Sequence, residues 1–384
     1  MMKRLRRAVA TLGWLAGWPG AEAIAQTTMI RAGRLLDPAT GAVKIDQLIV
    51  VEGKHVRSMG SGPTPPGADV IDLSRYTVLP GLIDAHVHLA IGGTVRDNAL
   101  ADLHAGFTTV VDLGARTTHI LVLRDSINAG HIPGPRVLAA GIWVGTKDGV
   151  CEFGGIGIAG GPEQFRRRVR ENLDAGADLI KVCVTGWAKD AFANPRRYEI
   201  ADDALRAVVR ESHSVRRLVI AHDLSAGGVR AALRDSVDGL AHAAYVDSTL
   251  AYALRDRRVF MIPTLASLTA GDTSAAAPAL MRATTIAYRL GVPLVFGTDG
   301  GVLPHGQNAH EFAVLIGAGV SALDAIRAAT MNAARALRIA DSVGTIAPGM
   351  VADIIAVAGD PLVDINALGR VRFVMLRGRV VVRP

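Results

Sequence analysis

The sequence predicts an α/β fold: a (β/α)8 TIM barrel accompanied by a small β-sandwich that both ends of the chain build. Short apolar strands alternate with helical stretches through the middle of the chain, which implies parallel strands covered by helices. Eight such units within about 220 residues are typical of a closed barrel. The segments at both chain ends are β-like, so we expect them to pair into one module.

Residues 1–25 are predicted to be a signal peptide that does not belong to the fold. Four basic residues precede an apolar stretch from Ala8 to Trp18, and Ala23-Ile24-Ala25 then provides a small-x-small cleavage site. An uncleaved anchor is the alternative, but the stretch is short for the ~20 residues that a bilayer span needs. The mature protein is therefore expected to be periplasmic or secreted, with no membrane span.

Charge and aromatic content do not favour nucleic acid as a partner. Loss of the signal peptide lowers the formal net charge from +7 to +4, because it removes four basic residues and one acidic residue. Aromatic residues make up only 4% of the chain, which is few for a surface that stacks bases. We expect a small-molecule substrate as the partner, and assembly into a homo-oligomer stays open.

The two cysteines, Cys151 and Cys183, can form a disulfide if the protein is exported. Sequence cannot tell whether their Cα atoms lie close enough, so the pairing stays open. Cys183 also follows Lys181 by two residues and shares its strand face, where it would fill space or line a pocket.

The β-sandwich is predicted to comprise residues 26–78 and 344–384. Two strand-like runs, Gln47–Val51 and Val56–Met59, flank a hairpin turn that contains Gly53. The other predicted strands are Ile30–Ala32, Val70–Asp72, Ala352–Val357, Val371–Leu376 and Val380–Val382.

The barrel is predicted to comprise residues 79–343. Its apolar runs of strand length are Val78–His88, Thr108–Leu113, Arg136–Trp143, Leu179–Val184, Leu218–His222, Gly239–His242, Val259–Thr264 and Pro293–Thr298. Its helical patterns are Pro162–Ala175, Asp202–Ser214, Gly228–Asp235, Thr249–Arg255, Pro278–Leu290, Ala309–Ala318 and Ala322–Leu337.

The first barrel strand ends in the sequence His86-Val87-His88. Side chains two apart on a strand point to the same face, so both imidazoles can bind a single divalent ion. By itself this pattern is weak evidence for a metal site, because two polar residues at the end of a strand without any such role explain it equally well.

Further ionisable residues stand at the ends of other predicted strands. Lys181 lies on the fourth strand, His222 ends the fifth, His242 ends the sixth and Asp299 follows the eighth. Active sites of barrels lie at the carboxyl ends of the strands, so these side chains are expected to converge on one rim. Their convergence with the first two histidines predicts a metal site.

The motifs that carry these residues resemble the amidohydrolase superfamily, and within it the imidazolonepropionase-like and Xaa-Pro dipeptidase (prolidase) branch. The resemblance covers about residues 28–384. The matching segments are 79–88 (Leu-Pro-Gly-Leu-Ile-Asp-Ala-His-Val-His), 105–112 (Ala-Gly-Phe-Thr-Thr-Val-Val-Asp), 176–182 (Gly-Ala-Asp-Leu-Ile-Lys-Val), 297–301 (Gly-Thr-Asp-Gly-Gly), 329–337 (Ala-Thr-Met-Asn-Ala-Ala-Arg-Ala-Leu) and 344–353 (Gly-Thr-Ile-Ala-Pro-Gly-Met-Val-Ala-Asp).

This resemblance implies a barrel inserted in a β-sandwich, with two divalent ions, usually zinc. His86, His88 and Asp299 would bind the more buried ion. His222 and His242 would bind the second, and Lys181 would carry a CO2-derived carbamate (N6-carboxylysine) that bridges both. The alternative for Lys181 is a buried lysine paired with a carboxylate.

The implied reaction is hydrolysis of an amide in a dipeptide, a C-terminal peptide bond or an N-acyl amino acid. Hydroxide between the two ions would attack the carbonyl, and Asp299 would be the catalytic residue that moves the proton to the leaving nitrogen. The alternatives are hydrolysis of esters, lactones or carbamates at the same site, or a non-catalytic protein that binds metal or a small molecule.

Four residues near the rim are candidates for substrate binding. Tyr245 follows the sixth strand and can hydrogen-bond the carbonyl oxygen or a substrate carboxylate. His305 lies on the loop after the eighth strand and can contact substrate or orient Asp299. Arg196 and Arg197, after the fourth strand, can pair with a substrate carboxylate. Packed or solvated side chains without a role are the alternative for all four. Glu311 is expected to brace the last loop.

Overall fold

A computed structural model describes residues 27–64, 70–186, 194, 196–270 and 276–384. The predicted signal peptide lies outside the described residues. No helix in the described ranges is long and apolar enough to cross a bilayer.

The two chain ends form one seven-stranded sheet. Its strands are β1 (Thr27–Leu36), β2 (Val43–Glu52), β3 (His55–Gly60), β4 (Val70–Pro80), β12 (Ile354–Val357), β13 (Val371–Leu376) and β14 (Arg379–Val382). They lie in the order β14-β13-β12-β4-β1-β2-β3, so the C-terminal strands join the N-terminal ones where β12 pairs with β4. This pairing confirms that both ends contribute to one module.

Sequence patterning explains how this sheet buries its core. Side chains from both chain ends form one apolar cluster, which includes Ile30, Ile49, Ile354 and Phe373. The predicted hairpin between β2 and β3 is present: Glu52 pairs with His55 across a turn in which Gly53 has φ +59°, a conformation that glycine adopts without strain.

The middle of the chain contains two parallel sheets. One is formed by β5 (Leu82–Val87), β6 (Phe107–Asp112) and β7 (Arg136–Ala139), and the other by β8 (Leu179–Cys183), β9 (Leu218–Asp223), β10 (Gly239–His242) and β11 (Phe260–Ile262). Their described helices are α1 (Val95–His104), α2 (His119–Asn128), α3 (Pro162–Asp174), α4 (Asp202–Ser214), α5 (Ala226–Asp235), α6 (Ser248–Arg257), α7 (Leu265–Ala270), α8 (Ala276–Arg289), α9 (His310–Gly317), α10 (Ala322–Ala328) and α11 (Met331–Ala336). The strands are almost wholly buried, as expected when helices cover a parallel sheet.

The predicted eighth strand is not regular. Residues 293–298 form isolated contacts with strands on both sides instead of a continuous ladder. The Val295 amide donates to Met261 of β11 (2.9 Å), and the Ala85 amide of β5 donates to Phe296 (2.9 Å). The segment therefore lies between the two parallel sheets, and single bridges such as Val144 with Val182 connect them elsewhere.

Two other predicted elements are each divided in two. The predicted strand Val78–His88 breaks at Gly81, because β4 belongs to the seven-stranded sheet and β5 to the barrel-like part. A Cβ atom at Gly81 would lie 2.1 Å from Thr108 Oγ1, so only glycine fits where the chain changes sheets. The predicted helix Ala322–Leu337 breaks at Thr330, whose φ of −133° is not helical.

Candidate metal centre

The first ligand group consists of His86, His88 and Asp299. The Nε2 atoms of both histidines lie 3.2 Å from Asp299 Oδ1, and one ligand atom from each residue lies within 4.8 Å of the others. Both histidines are buried. The three residues can therefore bind one ion together, as their positions in the sequence predicted.

Backbone and side-chain contacts hold this group in place. The His88 amide donates to Gly300 O (2.6 Å), and the Asp299 amide donates to His86 O (2.8 Å). Asp299 has φ +59°, a strained conformation for a residue other than glycine, as is common at functional sites. These contacts join the end of β5 to the segment after residue 298.

The protonation of His88 follows from its hydrogen bond. Its Nδ1 lies 3.1 Å from Gly114 O, and because a carbonyl can only accept, Nδ1 carries the hydrogen. In the neutral ring, Nε2 then directs a lone pair toward Asp299 Oδ1. Two facing electron pairs at 3.2 Å are favourable only when a proton or a metal ion lies between them.

The second ligand group consists of Lys181, His222 and His242. The two histidine rings are 4.7 Å apart, and His242 lies 5.3 Å from His86 of the first group. Lys181 is 2% exposed, and its Nζ has no hydrogen-bond partner within the described part of the chain. Lys181, in the middle of β8, also interacts electrostatically with His86, His222 and Asp299, so the structure brings all six predicted ligands close together.

Burial keeps the ligand side chains in the forms that bind metal. It lowers the pKa of His86 and of His222 to about 3, with the Lys181 charge adding to the effect. Burial also lowers the pKa of Lys181 to about 7. For Asp299 burial opposes ionisation, but contacts with His86 and His88 hold its pKa well below the usual range. Neutral imidazoles and an ionised carboxylate are the forms in which these groups bind metal.

Thr264 and Glu311 form a supporting chain behind His242. Thr264 Oγ1 lies 2.6 Å from His242 Nδ1, which leaves Nε2 as the free ligand atom. The backbone amides of Leu265 and Ala266, directly after Thr264, donate to the two carboxyl oxygens of Glu311 at 2.9 and 2.6 Å. The sequence analysis missed Thr264, although it ends the predicted seventh strand. Glu311 braces the segment after this strand, not the last loop as expected.

A buried carboxylate, Asp84, supports the first ligand group from β5. It accepts from the His86 amide (3.1 Å), the Thr298 hydroxyl (2.6 Å) and Asn308 Nδ2 (2.8 Å). Burial raises its pKa to about 7. The sequence contained a signal for Asp84. An acidic side chain on a buried strand, two residues before a candidate ligand, needs hydrogen-bond partners.

The four predicted substrate residues occupy different environments. His305 is buried, with Nδ1 2.9 Å from Asp102 and Nε2 3.3 Å from His88 O, so both ring nitrogens face protein atoms. Asp102 raises the pKa of His305 despite burial. Tyr245 is half-buried, and burial raises its pKa. Arg196 and Arg197 are exposed. Their roles in substrate binding remain predictions.

The cysteine pair, which the sequence left open, forms a disulfide. Cys151 and Cys183 are joined with a Cα–Cα distance of 6.2 Å. Both belong to a small apolar cluster with Trp143 and Val150, on which Phe153 packs. The disulfide therefore connects the segment after β7 to the strand that carries Lys181.

Comparison with known proteins identifies the family. Residues 77–381 match the model of the amidohydrolase family. The ochratoxinase of Aspergillus niger is 28% identical over 406 residues, which cover 89% of this chain and 83% of that enzyme.

Solved structures agree with this match. The crystal structure of a Xaa-Pro dipeptidase with methionine bound in its active site superposes with a TM-score of 0.87 at 30% identity, covering 92% of this chain and 99% of that one. A prolidase complexed with N-methylphosphonate-L-proline superposes with a TM-score of 0.85 at 25% identity, covering 94% and 100%. The chain belongs to the amidohydrolase family and is a hydrolase of carbon–nitrogen bonds.

Proposed function

We propose that this protein is a binuclear metal-dependent amidohydrolase that cleaves the amide of a dipeptide, a C-terminal peptide bond or an N-acyl amino acid. The observation that carries the proposal is the environment of Lys181. A lysine that is buried among three histidines, with no partner for its Nζ in the described residues, is costly as a simple cation. A carbamate, which offers two anionic oxygens, would give it a role as a bridging ligand.

The donor atoms fit two divalent ions. His86, His88 and Asp299 would hold one, His222 and His242 the other, and carboxylated Lys181 would bridge them. Imidazole and carboxylate are ligands that zinc prefers. Two unfavourable features of the site would become favourable if such ions were bound. One is Lys181 Nζ, which has no hydrogen-bond partner among the described residues, and the other is the pair of facing lone pairs on His88 and Asp299. The uncharged amine that burial favours is also the form that reacts with CO2.

The bound ions would supply Lewis acidity and lower the pKa of a water molecule. Asp299 takes a proton from the attacking water and delivers it to the leaving nitrogen. Its low pKa keeps it ionised and ready to accept that proton at neutral pH. An amide is the preferred bond because an amine leaves only after protonation, and because three comparison proteins are named as dipeptidase, prolidase and ochratoxinase.

Three further proposals concern the whole chain. The backbone contacts of residues 293–298 with β11 and β5 support a closed barrel, and the shared apolar core of the chain ends supports a sandwich. We propose domain limits of 26–80 with 344–384, and 81–343, because β4 continues to Pro80 in the seven-stranded sheet. The disulfide supports export of the protein, since disulfides persist mainly in oxidising compartments.

Metal content per chain tests the proposal most directly. Purified mature protein should contain about two ions, and Lys181→Ala about one or fewer, with hydrolysis of N-acyl amino acids lost. Lys44 is an exposed lysine on β2, so Lys44→Ala is the matched control. It should retain both the two ions and the hydrolysis of N-acyl amino acids. One ion in both wild type and Lys181→Ala would refute the carbamate bridge.

Substrate panels separate the remaining alternatives. Hydrolysis of matched esters, lactones or carbamates without hydrolysis of any amide would overturn the amide assignment. Hydrolysis of neither class by fully metallated protein would leave a non-catalytic binding protein. Chelation should abolish hydrolysis and added zinc should restore it.

A further inference from the structure

A cavity of about 650 Å³ lies between the seven-stranded sheet and the ends of α1 and α2. Its apolar wall is formed by Leu100, Leu103, Ile127, Ile132, Leu376 and Val381. None of the six predicted metal ligands lines it, and it lies beside the amino-terminal ends of β6 and β7. Ligand sites often form where two structural units meet, and this volume is in the range of small-molecule sites.

Two hairpin turns form one edge of this cavity. The turn between β2 and β3 contributes Gly53 and Lys54, and the turn between β13 and β14 contributes Arg377 and Gly378. The turns pack so closely that an added Cβ at Gly378 would lie 2.0 Å from Gly53 O. The Ala352 amide donates to Lys54 O (2.9 Å), and Ala352 O accepts from the Gly378 amide (3.0 Å). Backbone contacts therefore fix the two turns against each other.

The charge at this edge is positive. Lys54, Arg377 and Arg379 line the cavity, and no acidic side chain lines it within the described ranges. Lys54 and Arg379 are exposed, and neither makes an ion pair or side-chain hydrogen bond with the described part of the chain. Two unpaired cations beside an apolar wall are suited to a ligand that has both an anionic and an apolar part.

The third cation, Arg377, is half-buried in an environment that disfavours its charge. Its guanidinium donates to the backbone and side-chain oxygens of Asn128, which are neutral acceptors. Burial and the charge of Arg136 lower the pKa of Arg377, although Asp353 opposes them. Asp353 is already paired with Arg136 (2.6 Å) and accepts from the Arg377 amide (2.7 Å). An anion bound at this edge would therefore stabilise the Arg377 cation.

We propose that this cavity binds a small amphipathic carboxylate, such as a medium-chain alkanoate, with its carboxylate between Lys54, Arg377 and Arg379 and its chain on the apolar wall. An inorganic anion would leave the apolar wall in water, and a neutral apolar molecule would leave the cations unpaired. The inference goes beyond the proposed amide hydrolysis and does not depend on it, because none of the predicted metal ligands lines the cavity.

Calorimetry with three probes on the zinc-loaded, full-length mature protein tests this site. The probes are octanoate, the neutral octanamide, and butanoate, which has a shorter chain. Wild type should bind octanoate about tenfold tighter than either of the others. The reason is that octanamide lacks the charge and butanoate lacks most of the apolar area.

Variants of the two unpaired cations test the recognition of charge. Lys54→Gln combined with Arg379→Gln should remove the preference for octanoate over octanamide. Arg379→Lys alone should keep most of this preference, because it retains the charge and loses only the planar fork. Arg372 is an exposed arginine on β13 that does not line the cavity, so Arg372→Gln is the matched control and should leave all three affinities unchanged.

Ile132→Asn tests the apolar wall. Ile132 is half-buried on the segment between α2 and β7, and Asn there should reduce the preference for octanoate over butanoate about fivefold. Ile45 is an exposed isoleucine on β2 outside the cavity, so Ile45→Asn is the matched control and should keep the preference. Melting temperatures close to that of wild type would show that the variants fold.

Three results would overturn this proposal. One is wild-type protein that does not prefer octanoate over the other two probes. Another is an octanoate affinity that neither Ile132→Asn nor the double variant of Lys54 and Arg379 changes, because the probe would then bind elsewhere. The third is cosedimentation with phosphatidylglycerol vesicles that the double variant loses, without binding of free octanoate. That result would assign the cationic edge to a lipid surface instead.

Discussion

Different kinds of contact hold the two ligand groups in place. His88 has a fixed ring nitrogen, Asp299 has a backbone bond to His86 O, and Asp84 braces the end of β5. In the second group, His242 is fixed by Thr264, whereas His222 Nε2 lies 3.5 Å from its nearest partner, Gly186 O. At that length the contact orients the ring only weakly.

This difference indicates an order of assembly. In the first group, protein contacts orient His88 and Asp299, although His86 Nδ1 has no hydrogen-bond partner among the described residues. We therefore expect metal binding to require little reorganisation of these two side chains. Under the proposed function, the second group would lack a firmly held third ligand until Lys181 is carboxylated. We therefore expect the first group to bind an ion alone and the second to depend on the carbamate.

Asp299→Asn should have the largest effect, because Asp299 is both a metal ligand and the proton carrier in the proposed mechanism. We expect kcat/KM for the amide substrate to fall about 10³-fold or more. Steady-state assays on zinc-saturated protein measure this. A loss under about tenfold would mean that another residue moves the proton.

Removing one histidine from each group tests the order of assembly. His222→Ala should retain about one ion per chain, whereas His86→Ala should retain almost none, since the second group binds weakly alone. Metal analysis after gel filtration provides the counts. Equal retention by both variants would contradict the difference between the groups.

Thr264→Val tests the support of the second group. Val has nearly the same shape but cannot bond to His242 Nδ1, so zinc affinity should fall about tenfold. Thr264→Ser keeps the hydroxyl and is the matched control. A competition assay with a chelator of known affinity measures both variants. Unchanged affinity in Thr264→Val would show that the backbone alone orients His242.

Glu311→Gln should have the smallest effect, visible as a pH dependence of stability. Burial raises the pKa of Glu311 from 4.5 to about 8, so the folded state holds a proton that the unfolded state releases between these values. The wild type therefore loses stability as pH rises through this window, and the variant does not. The melting-temperature advantage of wild type over Glu311→Gln should shrink from pH 5 to pH 8. An advantage that grows instead would mean that Glu311 is ionised in the folded protein.

Local signals explain which parts of the site the sequence could predict. His86 and His88 lie two apart on an apolar strand, Lys181 lies within a further apolar run and His222 ends another, so periodicity and the rule for barrel active sites together predicted that they converge. The predicted eighth strand was wrong as a regular element, since residues 293–298 bond to β11 and β5 in single contacts. Single contacts of this kind produce no periodic pattern of apolar residues in the sequence.

By itself, the sequence determined the strand–helix order and the residues that meet at the strand ends, because both follow from side-chain periodicity within short segments. Only the tertiary structure decided what supports those residues. Thr264 reaches His242 across 22 positions, and Glu311 reaches the segment after Thr264 across 46 and 45. The disulfide likewise joins segments that pack together only after folding. Contacts of this kind depend on distances in space, which sequence spacing does not encode.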